Sequence, residues 1–89
     1  MQRITMKDLE SVVRRINDVT GSPVEPYKTV NKKHISNIGN YHLDGAYGGW
    51  KLVRMMNESG GIKEVTYGFV SKRELYNLMH SYLSGLEAK

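Results

Sequence analysis

The chain is predicted to fold as α+β, with a three-stranded antiparallel meander between two helices in the order α-β-β-β-α. Two observations predict it. Apolar residues recur at helical spacing near each end, and a capping signature opens each series. Between them, polar and apolar residues alternate strictly over 40–44, the pattern of a strand with one buried and one wet face. So short a meander needs apolar cover, and only the helices can give it, so the expected architecture is a two-layer sandwich with both helices on one face. The 89 residues suit one domain, 1–89.

Thr5 followed by Asp8 opens the first helix, and Leu9, Val12, Val13, Ile16 and Val19 form its inner stripe. Arg14, Arg15, Asn17 and Asp18 then fall on its outer face, and Gly21 with Ser22-Pro23 ends it. Pro23 and Pro26 break helix, while 27–30 can form a short extended piece. The alternation over 40–44 turns Tyr41 and Leu43 inward and Asn40, His42 and Asp44 to solvent. A second strand is expected over 50–56, and Glu58-Ser59-Gly60-Gly61 turns the chain into a third strand whose Val65, Tyr67 and Phe69 share the inner face. Ser71-Lys72-Arg73-Glu74 is a capping box for the second helix. Its inner stripe is Leu75, Leu78, Met79, Tyr82 and Leu83, and Gly85 ends it.

Composition narrows the function classes. There is no cysteine, which excludes disulfides and thiolate chemistry. No apolar run approaches the length of a membrane span, and the chain reads as soluble and cytoplasmic. His34, His42 and His80 have no zinc-ligand spacing, so no metal and no cofactor are expected. His42 and Asp44 lie two apart on one strand, where a carboxylate could orient an imidazole, but no nucleophile stands beside them in sequence. The chain is therefore expected not to be an enzyme. Gly45-Ala46-Tyr47-Gly48-Gly49 precedes a strand, whereas glycine-rich phosphate loops feed a helix N-terminus, so these glycines read as a turn or bulge.

Charge and aromatic content point to binding. The formal charge is +4, and between Pro26 and Arg54 the bases Lys28, Lys32, Lys33, Lys51 and Arg54 face one acid, Asp44. Tyr47, in the glycine-rich connection, is the aromatic expected at the surface. Tyr47, Lys51 and Arg54, with His42 and Asp44 beside them, are the candidate contacts for a macromolecular partner, a protein ahead of a nucleic acid. Val53 and Met55 share a sheet face with Lys51, so a homodimer through that face is also expected.

Two resemblances bear on this reading. The α-β-β-β-α order is that of the double-stranded RNA-binding domain, which implies nucleic-acid contacts through Arg14 and Arg15 on the first helix and Lys72 and Arg73 opening the second. In place of that family's basic cluster this chain has Ser71-Lys72-Arg73-Glu74-Leu75, which puts Glu74 toward the phosphates. Through Asn17-x-x-Thr20-Gly21, the run from Gly39 to Trp50, Gly60-Gly61 and Ser71-Lys72-Arg73-Glu74-Leu75-Tyr76, the chain resembles a group of small proteins of tailed bacteriophages and prophages. That resemblance implies a setting in the phage-infected host cell and an accessory protein that acts by binding. It brings no activity, substrate or site residues.

Overall fold

The computed structural model describes residues 3–88. They form two helices and two small antiparallel sheets, an α+β class: α1 (Met6–Thr20), β1 (Tyr27–Val30), β2 (Lys33–Ser36), β3 (Tyr41–Ala46), β4 (Gly49–Met55), β5 (Ile62–Glu64) and α2 (Lys72–Glu87). β1 pairs with β2, and the meander runs β3-β4-β5.

Helix starts follow their caps. The Thr5 hydroxyl accepts the Asp8 N–H while the Asp8 carboxylate accepts the Thr5 N–H, so two donors of the first turn are satisfied. Gly21, at φ 68°, ends α1 in the left-handed conformation. At α2 the Ser71 hydroxyl accepts the Glu74 N–H at 3.2 Å. The helix passes through Gly85 to Glu87, because the apolar stripe continues to Leu86, which packs on the core.

The core joins Leu9, Val12, Val13 and Ile16 of α1, Leu75, Met79 and Leu83 of α2, and Tyr41 and Leu52 of the meander. Asn17, expected outside, is buried, and Val19 and Leu78 are exposed. Asn17 is buried because it does backbone work: its amide nitrogen donates to the Tyr41 carbonyl at 3.0 Å and its oxygen accepts the Tyr41 N–H at 2.8 Å. A side-chain amide thus stands in for a neighbouring strand at this one residue.

Three further expectations change. The order of elements gains the β1–β2 hairpin, whose two-residue turn, Asn31-Lys32, has φ of 49° and 64°. That hairpin geometry normally calls on glycine, which is absent here. The third strand is Ile62–Glu64 rather than 65–69, and Tyr67, expected inside, is 86 % exposed. Gly68, at φ 74°, breaks the alternation, and Val70 rejoins the sheet by exchanging two backbone hydrogen bonds with Trp50. Asn40 is fully buried rather than wet, its amide donating to the carbonyls of Pro23 and Val24.

Candidate functional site

The meander's register sorts the candidate residues. Tyr41 lies opposite Arg54, Leu43 opposite Leu52 and Gly45 opposite Trp50, so these six share the face that joins the helical core. His42 opposite Val53 and Asp44 opposite Lys51 share the other face. Arg54 therefore leaves the proposed patch. Its guanidinium lies 4.7 Å from the Tyr41 ring centre and its Nε donates to the Gly39 carbonyl, on the opposite side of the sheet from Lys51.

Lys51 is also occupied. Its side chain is 13 % exposed, with Nζ 3.5 Å from the Glu64 carboxylate and 4.4 Å from the Phe69 ring centre. The lysine fastens β4 to β5 and to the 67–69 loop. The alternation that would turn Phe69 to the interior is interrupted by Gly68, and a glycine inside a strand-like run is the sequence signal of such a break.

His42 and Asp44 are half-buried, not solvated. The His42 Nδ1 is 3.2 Å from the Asn40 amide oxygen. Since that amide's nitrogen is engaged with two carbonyls, Nδ1 carries the proton and Nε2 is the acceptor of the neutral ring. Burial holds the imidazole below its usual 6.5, with the Asp44 charge opposing. His34 lies on β2 and His80 on α2 against Tyr76, so the three histidines stand on different elements. Among the described residues no three metal-binding side chains converge.

Tyr47 occupies the tip of the hairpin. Tyr47 and Gly48 are the whole connection between β3 and β4, and both have positive φ, 53° and 72°. Tyr47 is 95 % exposed, and its ring meets that of Phe69 edge-on at 5.5 Å between ring centres. The other glycines of the run are set by packing. A Cβ on Gly45 would lie 2.6 Å from the Trp50 ring, and one on Gly49 would lie 2.9 Å from the Phe69 backbone. The turn reading therefore holds at Gly48, whereas Gly45 and Gly49 are regularly paired strand residues, without a bulge, whose lack of a side chain is required by packing.

Set against family models, curated proteins and solved structures, the chain matches none of them.

The alternative basic set is dispersed. Arg15 pairs with Glu87 at 2.6 Å, at the far end of α2 from Lys72 and Arg73. Fifteen residues of helix put Lys72 about 22 Å from that contact. Arg14 lines a groove between α1 and β3. The uncompensated bases lie elsewhere: Lys28, Lys32 and Lys33 stand on the β1–β2 arm, 27–36 holds no acid, and all of β1 with Lys33 and His34 is exposed. Val53 and Met55, expected to form a dimer face, are 0 % and 1 % exposed within the chain itself. At that end of β4 the 36–40 segment closes in, Gly39 N–H donating to the Met55 carbonyl at 2.8 Å. Among the described residues no helix is long and apolar enough to cross a membrane.

Proposed function

We propose that this chain is a non-catalytic accessory module of phage type, acting in the host cytoplasm by gripping a macromolecular partner with the tip of the β3–β4 hairpin. Its helices, layered on one face of the meander, serve as the rigid mount. The observation that carries this is Tyr47: a bulky aromatic in the left-handed conformation and almost wholly exposed. A two-residue hairpin turn of this kind favours Asn-Gly, and a non-glycine residue in that conformation costs about 1–2 kcal/mol. Beyond its edge contact with Phe69, Tyr47 gains almost no burial to offset that cost, which supports a role for the ring outside the chain. Aromatic side chains are the usual anchors of protein contacts.

The test is capture from phage-infected cell extract with wild type and Tyr47→Asn. The variant should melt higher, by a few degrees, because asparagine relieves the turn. It should also lose the partner that the wild type retains. Equal retention by both proteins overturns the reading.

A second reading has its own support in the exposed lysines of the β1–β2 arm. A basic ribbon of this kind can enter a nucleic-acid groove, in place of the helix contacts that the double-stranded RNA-binding domain would use. Three phosphate contacts give a slope of about −3 in log affinity against log salt for duplex DNA. Mobility shifts at two salt concentrations, with Lys28, Lys32 and Lys33 changed together to alanine, check it. No shift at low salt rules it out.

A further inference from the structure

We propose that the outer edge of β3 accepts an extended peptide segment of the partner as an added strand, bonded to the backbone of Leu43 and Gly45. This deepens the binding-module reading and rests on it. Among the described residues β3 is an edge strand, with β4 on one side only. In an antiparallel pair, alternate residues direct N–H and C=O to opposite sides. Tyr41 directs both toward α1, where the Asn17 amide takes them. The same outward side therefore carries the N–H and C=O of Leu43 and Gly45, and the described residues supply these four groups with no hydrogen-bond partner.

A groove of about 460 Å³ lies along this edge. It is bounded by Leu43 and Trp50 from one face of the sheet and by His42 from the other, so it wraps around the edge strand itself. Met6 and Val13 of α1, with Val24, form its apolar wall, and the acids Glu10 and Glu25 stand with the single base Arg14 on its rim. The backbone groups call for a peptide, the wall for apolar side chains at alternate positions, and the slightly acidic rim for a neutral or weakly basic segment.

The overhanging helix decides against a second copy. α1 packs on β3 and α2 on β4, and the helices also pack on each other. Packed helices stand about 8–10 Å apart and paired strands about 5 Å, so the helix pair is wider than the strand pair beneath it. Joining β3 to the β3 of another molecule would bring two α1 helices closer than helices pack. A lone strand with no helix above it fits.

The experiment selects a displayed library of random heptapeptides on the full chain, then uses end-blocked synthetic copies of the enriched peptides. The Leu43 and Gly45 amides should exchange fast in the free protein and slow on adding peptide. N-methylation at one alternate set of peptide amides should weaken binding roughly tenfold or more, and at the other set hardly at all. No enrichment, no protection at Leu43 and Gly45, or equal tolerance of both methylation sets overturns the proposal. Protection of these amides without peptide, rising with protein concentration, assigns the edge to a second copy and also overturns it. Tyr47→Asn losing its captured partner while the edge stays unprotected would retain the binding-module reading and discard strand addition alone.

Discussion

At the scale of single residues, burial rather than charge sets the behaviour of the ionisable groups around β3. Tyr41 shows it at high pH: burial, then the 2.7 Å hydrogen bond between its hydroxyl and that of Tyr82, push its phenol up to about 12. His42 shows it at low pH. Its folded form favours the neutral ring, so below the usual 6.5 the unfolded chain takes up a proton that the folded chain resists. Stability is unaffected above that value and falls as pH drops through the window between 6.5 and the depressed folded value. His42→Gln keeps a donor for the Asn40 oxygen without titrating, so its melting temperature should decline less than that of the wild type between pH 7 and 5. Thermal melts across that range check it, and parallel profiles would show that His42 contributes nothing.

At the scale of elements, glycine positions divide by what they touch. Gly49 faces backbone: a methyl there would meet Phe69 carbonyl carbon at 2.9 Å and Val70 oxygen at 3.0 Å, and neither can rotate away. Gly45 faces the Trp50 ring, which can swing. Gly49→Ala should therefore cost about 1–3 kcal/mol, and Gly45→Ala less, as read by urea denaturation of the two variants. The same division explains what the sequence made legible. The helix N-caps, the αL glycine at 21 and the first two meander strands are local events, written in a few adjacent residues, whereas the end of α2 beyond Gly85 is not. The burial of Asn17, the exposure of Tyr67 and the break at Gly68 are not local. They depend on which backbone comes alongside from far away in sequence: β3 for Asn17, and the Trp50–Val70 bridge for the 65–70 loop. For the candidate site, Tyr47 was legible because a turn must expose its tip. Lys51 and Arg54 were separated by strand parity, which a count of charges along the chain ignores.

At the scale of the whole molecule, stability is unevenly shared. Leu9, Ile16, Leu52, Leu75 and Met79 are fully buried in one cluster that ties both helices to the meander. The β1–β2 arm contributes none of its residues to that cluster. Few buried contacts mean low-energy local opening, whereas the central strand can open only with the whole fold. Native-state hydrogen exchange should show the amides of 28–34 opening far below the global free energy, while Leu52 exchanges only through global unfolding. Replacing 28–35 by Asn-Gly, which joins Tyr27 to Ser36 through a hairpin turn, should then shift the melting temperature by less than about 5 °C. A larger loss would mean that the arm braces the 36–40 segment over Met55, and that its lysines stand on a structural support rather than on a separable contact surface.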